Sequence, residues 1–243
     1  MMIKVFINPE KFVRFSNLIF KPLFFLSFVT LCIGLIFAFY LSPDDYQQGS
    51  IVRIMYIHVP SAWLALLTLC IMTFYSIIAL AFKIPFGFIV NTAVAPIGAT
   101  FTFICLLTGS LWGKPMWGTW WVWDARITSV LILFFLYLGL IALHQAFENR
   151  DAAARACAVL AIVGAVNIPI IYWSVEWWYS LHQPASIKFV GESTIHPTML
   201  RPLMATLSGM YLFFGWVLLL FVRAEIIERE KNTRWVQALV SGK

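Results

Sequence analysis

From Phe20 to Leu41 the chain is largely apolar, with Lys21 its one charged residue, and five more stretches of similar character follow it. A helix needs about 20 consecutive apolar residues to cross the hydrocarbon core of a bilayer. The remaining runs fall at about Ser61–Phe82, Phe88–Ser110, Ile127–Phe147, Ala156–Ser174 and Pro202–Val222. Of the 243 residues, 61% are hydrophobic and only 12% charged, far from the balance of a soluble domain. The chain therefore reads as one all-α integral membrane domain, residues 1–243, with six spans. The first run is too long for a signal-peptide core and no small-residue cleavage pattern follows it, so it is expected to stay as a span.

Six spans put both ends of the chain on one side, and Lys and Arg decide which. The segments on the side of the termini hold Lys4, Lys11, Arg14, Lys21, Lys83, Arg150, Arg155, Arg223, Arg229, Lys231, Arg234 and Lys243, twelve in all. The opposite side holds Arg53, Lys114, Arg126, Lys188 and Arg201, which is five. The positive-inside rule then places the termini in the cytoplasm. It also explains the net charge of +6 as a topology signal, so nucleic acid is not an expected partner. The tail from 223 to 243 is cytoplasmic on this reading, and its charged start is suited to an amphipathic helix on the membrane surface.

The outer side carries the unusual residues. Leu111–Arg126, between spans three and four, holds five of the eleven tryptophans: Trp112, Trp117, Trp120, Trp121 and Trp123. Lys114, Asp124 and Arg126 stand among them. If Trp117–Asp124 is helical, Trp117, Trp120, Trp121 and Asp124 share one face at i, i+3, i+4 and i+7. Gly113, Pro115 and Gly118 interrupt the approach, which favours a short helix or turn along the surface. Interfacial belts also collect indoles, but they spread one or two over each helix end. Five indoles in so short a stretch make a broad aromatic surface for a flat ligand.

Two histidines lie on the same side. His58 falls at the outer end of span two, where Pro60 favours a fresh helix start. His182 follows span five, at i+4 from Trp178, a spacing that shares a helix face. Neutral imidazoles ligate metals. Zinc sites draw three or four protein ligands from Cys, His, Asp and Glu, and the outer side offers no cysteine and only scattered acids. Two imidazoles and a planar aromatic wall match iron in a porphyrin, with Arg53, Lys114, Arg126 and Arg201 available for its carboxylates. His144 lies near the inner surface, and His196 has only its side of the membrane in common with the pair. Asp124 is placed to orient an indole N–H or to pair with a cation.

Some chemistries are excluded. Cys32, Cys70, Cys105 and Cys157 all lie in apolar runs, with no C-x-x-C and no C-x-x-C-H, so neither a dithiol centre nor covalent haem attachment is encoded. No phosphate-binding loop, G-x-S-x-G or H-E-x-x-H occurs, and an enzyme is not expected.

Three stretches together carry a resemblance. Trp117–Asp124 reads W-G-x-x-W-x-W-D, Ile57–Pro60 reads I-H-V-P, and Ser174–Gln183 reads S-V-E-W-W-Y-S-L-H-Q. With the six-span layout, these resemble the WWD haem-handling proteins of cytochrome c maturation over nearly the whole chain. The resemblance implies a protein of the bacterial inner membrane that holds non-covalent haem b at its periplasmic face. His58 and His182 would be the axial ligands of the iron, with the 111–126 segment against the macrocycle. It further implies delivery to a periplasmic haem chaperone, alongside ABC transporter subunits and a small single-span protein. His196 lies outside the pattern. Two other readings stay open at the level of sequence: a b-type cytochrome subunit of a redox enzyme, and a haem-conducting channel.

Overall fold

The computed structural model describes residues 5, 7–183, 186–187 and 193–241. Lys4, Lys188 and Lys243, three of the cations in the charge comparison, lie outside the described residues. Among the described residues eight α-helices follow in order: α1 Pro9–Ile36, α2 Met55–Ala81, α3 Phe86–Trp117, α4 Ala125–Gln145, α5 Arg150–Gly164, α6 Asn167–Trp177, α7 Pro197–Arg229 and α8 Arg234–Ser241. With α5 and α6 taken as one broken rod, six of these units are long and apolar enough to cross a membrane.

Local chemistry sets the helix ends, and several differ from the apolar runs. α1 starts eleven residues before Phe20, because Asn8 caps it through Lys11 N at 3.0 Å and Pro9 takes the first turn, where no N–H is needed. α2 is already running at Pro60. It begins as a 3₁₀ turn at Ser50–Ile54 and becomes α-helical at Met55, so His58 sits in its first turn instead of before its start. Pro60 costs this helix only the bond to the Tyr56 carbonyl, close to an end where the ladder is incomplete anyway. α3 continues through Gly113 and Pro115 to Trp117. The fifth span divides at Ala165–Val166, and Asn167 starts α6 with its side chain bonded to the Ser129 carbonyl of α4 at 2.9 Å. The charged start of the tail does not form a separate surface helix. Residues 223–229 prolong α7, and the separate helix comes later, as α8.

α3 is the axis of the bundle, with two thirds of its most apolar window buried, while α1 is the most exposed span. Helices in lipid gain little from hydrophobicity alone, so close approach through small residues and interhelical hydrogen bonds must hold them. Both devices occur. At Gly98 of α3 a methyl group would collide with the Tyr137 ring of α4, and the Tyr137 hydroxyl passes α3 to donate to Ala65 O of α2 at 2.7 Å. Asn91 of α3 donates to Ser76 of α2 at 2.6 Å. α1 and α7 meet at Gly34 and Gly209, where an added Cβ would lie 2.7 Å from Thr206 Cα and 2.6 Å from Leu31 Cα. Thr206 Oγ1 donates to the Gly34 carbonyl at 3.1 Å across this crossing.

Candidate functional site

One end of the bundle gathers the start of α2, the ends of α3 and α6, and the starts of α4 and α7. Between them lies a cleft of about 370 Å³. His58, His182, Trp112, Trp117, Trp120, Trp121 and Arg126 all line it. Arg53 and Trp123 do not belong to its walls: Arg53 donates to Asp44 Oδ1 at 3.0 Å and to the Ser42 carbonyl at 3.2 Å, and Trp123 is 77% exposed. Lys114 folds back onto Gly118 O and sits 5.8 Å from the Trp120 ring, outside the cleft.

The indoles reach the cleft by a route other than a shared helical face. α3 ends at Trp117 because Gly118 adopts φ 77°, a left-handed conformation that glycine takes without penalty. Residues 118–124 are irregular, with Thr119 Oγ1 donating to Trp121 O at 3.2 Å. Asp124 is extended and accepts from Ile127 N at 2.8 Å, which makes it the N-cap of α4. Of the two alternatives, a short helix or a turn, Trp117–Asp124 takes the non-helical one, a stop and a start seven residues apart. Trp112 and Trp117 come from α3, Trp120 and Trp121 from the link. Asp124 bonds neither an indole nor a cation among the described residues; its second oxygen accepts from Ser180 at 2.5 Å.

The two imidazoles stand with ring centres 6.4 Å apart and planes inclined by 32°. His58 Nδ1 lies 3.1 Å from both Cys105 O and Thr108 Oγ1 of α3. A carbonyl only accepts, so Nδ1 carries the proton and Nε2 holds the lone pair. Gly109 leaves room for the ring, since a Cβ there would stand 3.1 Å from His58 Cε1. Trp112 meets the same ring edge-on at 5.7 Å, and its N–H is held by Gln48 Oε1 at 2.8 Å. Gln48 is itself delivered by a turn in which Asp45 Oδ1 accepts from the backbone of Gln47 and Gln48.

His182 is held differently. α6 stops at Trp177 and Trp178 is extended, so Trp178 and His182 share no helix face. The imidazole Nδ1 lies 3.0 Å from Gln183 O, which again assigns the proton to Nδ1. The His182 backbone N–H donates to Ser180 Oγ at 3.1 Å. Burial lowers the imidazole pKa below its ordinary value, against the Gln183 carbonyl, which favours the charged form, so the ring is neutral near pH 7. Arg126 braces the floor of the cleft, donating to Ser174 Oγ and Tyr172 O of α6, each at 3.0 Å. Trp121 Nε1 is buried with no partner among the described residues.

Trp63, Gln48, Thr108 and Ser180 belong to this site and were not singled out from sequence. Trp63 was within reach of the pattern, because Val59, Ala62, Trp63 and Leu66 follow at helical spacing and all line the cleft. The other three act through contacts 64, 50 and 56 residues away in the chain, which periodicity does not carry. His144 and His196 are not cleft residues; His196 caps the start of α7.

Fold and site define a multi-pass helical membrane protein with paired imidazoles in an indole-lined cleft at one end. The chain belongs to the heme exporter protein C family, whose model matches residues 2–237. It is 48% identical to heme exporter protein C of Bradyrhizobium diazoefficiens over 95% of this chain and 88% of that protein. For the proteins of the same name from Haemophilus influenzae and Escherichia coli the identity is 46%, over 90% and 88% of this chain and 89% and 86% of theirs.

Proposed function

We propose that the protein holds haem b, non-covalently and as cargo, in this cleft and delivers it to a periplasmic haem chaperone for cytochrome c maturation. The observation that carries the reading is the spacing of the imidazoles. A metal–imidazole bond is about 2.0–2.1 Å, and a ring with bonds of about 1.35 Å sets its nitrogen about 1.15 Å from the ring centre, so two rings flanking one metal stand about 6.3–6.5 Å apart. His58 and His182 stand 6.4 Å apart, each with Nε2 as the free lone pair.

The other groups fit the remaining parts of the same cargo. Trp112, Trp117, Trp120 and Trp121, with Trp63, offer apolar aromatic faces to a macrocycle. Arg126 and the unpartnered Trp121 N–H are donors for its carboxylates. The bias of cations toward the termini supports a cytoplasmic placement of both ends in the bacterial inner membrane, with the cleft on the periplasmic side. Partners on this reading are the haem chaperone, ABC transporter subunits and a small single-span protein.

The test is the absorption spectrum of detergent-purified protein. Wild type is expected to show a low-spin bis-imidazole haem, and His58→Ala and His182→Ala to lose or alter it, with added imidazole restoring haem. Unchanged spectra in both variants would overturn the assignment.

A further inference from the structure

We infer that Asp124 and Ser180 form a positioning relay that holds His182 in place, so that the tryptophan segment and one imidazole move as a unit. The inference rests on the reading of His182 as a ligand of the haem iron. Asp124 Oδ2 accepts from the Ser180 hydroxyl at 2.5 Å, and Ser180 Oγ accepts from His182 N–H at 3.1 Å. The other carboxylate oxygen caps α4 through Ile127 N at 2.8 Å. One carboxylate therefore ties three things together: the end of the 118–124 link, the first turn of α4, and the backbone that carries His182.

The relay matters because little else fixes that imidazole. Residues 178–183 lie outside any helix, and among the described residues the other hydrogen bond of His182 goes to its own neighbour, Gln183. A hydrogen bond to an ionised carboxylate is stronger than a neutral one, and here it is partly shielded from water. Displacement of the 118–124 link pulls on Ser180 through Asp124 and so withdraws His182. Trp120 and Trp123 in that link are 56% and 77% exposed, open to contact from outside. His58 has no such connection, since its partners are on α3. The structure thus assigns Asp124 and Ser180 as positioning residues, and His182 as the ligand that releases first.

The experiment compares wild type, Ser180→Ala, Ser180→Thr, Asp124→Asn, the Ser180→Ala/Asp124→Asn double variant and His182→Ala as purified full-length haem-loaded proteins. Each is followed by its spectrum and by the rate of haem loss to excess apomyoglobin. Asn keeps the α4 cap but not the carboxylate charge, so Asp124→Asn isolates the relay from the helix start. Ser180→Ala and Asp124→Asn are expected to lose haem about tenfold faster, as for loss of a hydrogen bond to a charged group. Both should show partial loss of the low-spin signature, which added imidazole reverses. Ser180→Thr, which supplies a hydroxyl, should return the rate toward wild type, and the double variant should be no faster than either single one. Wild-type rates and spectra in Ser180→Ala and Asp124→Asn, with an altered spectrum in His182→Ala, would overturn the relay alone. An unchanged spectrum in His182→Ala would overturn the ligand reading beneath it.

Discussion

The two sides of the cleft bring similar side chains to the same space on unlike supports. His58 rides in the first turn of α2 and leans on α3 through Cys105 O, Thr108 and the notch at Gly109. Both helices belong to the buried centre of the bundle, and Leu64 and Tyr56 beside His58 are fully buried. His182 hangs on an irregular stretch whose tethers are Ser180 and, through it, Asp124. On the proposed function the protein must grip haem and also let it go. Rigid elements give the precision needed for the first, while an irregular stretch outside any helix gives the low opening cost needed for the second.

That contrast can be broken most forcefully at the two histidines proposed as ligands. His58→Ala and His182→Ala should each lower haem content by about tenfold or more, as expected when a metal loses a ligand or its key support, measured as haem per protein after purification. The rigid side can then be probed alone. Gly109→Val drives a branched side chain into the space of His58, where even a Cβ is already within 3.1 Å of Cε1. Haem content should fall several-fold, while Gly139→Ala on α4, where an added Cβ meets nothing within 4 Å, leaves it near wild type. Equal loss in both would mean that His58 is not seated as described.

The indoles should show a smaller and different effect. Aromatic contacts contribute about 0.5–1.5 kcal/mol beyond their area, less than an axial bond. Trp120→Ala is therefore expected to cut transfer to a co-expressed haem chaperone more than it cuts haem content. A complete loss of haem would place Trp120 among the groups that retain the cargo. The smallest expected effect is at Gly118, whose φ of 77° makes Gly118→Ala cost about 1 kcal/mol of local stability. It should be visible as a few degrees in a thermal melt, with the spectrum intact.

The apolar runs made the six spans legible, because length and composition alone decide what crosses a bilayer. The axis role of α3 was not, since it depends on where Gly98 and Tyr137 meet. At the cleft, several lining residues were readable and the backbone course was not. The spacing of Trp117, Trp120 and Trp121 matched a helix, yet Gly118 and Asp124 are a stop and a cap. Asp before an apolar run is the usual sign of a helix start, and at Asp124 that local signal decided the conformation while the 3.6-residue period did not. Arg53 and Arg126 looked alike in sequence. Their difference lies in which carbonyls stand nearby, Ser42 O for one and Tyr172 O for the other. His182 shows the same limit, because its place depends on Ser180 meeting a residue 56 positions earlier.

The crossing of α1 and α7 has a consequence for biosynthesis. α1 packs chiefly on α7, and their tightest contacts pair Gly34 with Thr206 and Leu31 with Gly209. The ribosome delivers the chain from the N-terminus, so α1 enters the membrane long before its partner exists. Until α7 is inserted, the Gly34 and Leu31 face of α1 must wait in lipid or be shielded by the insertion machinery. A nascent chain arrested before Pro197 would lack this closure entirely, and the last span to be made is the one that fastens the first.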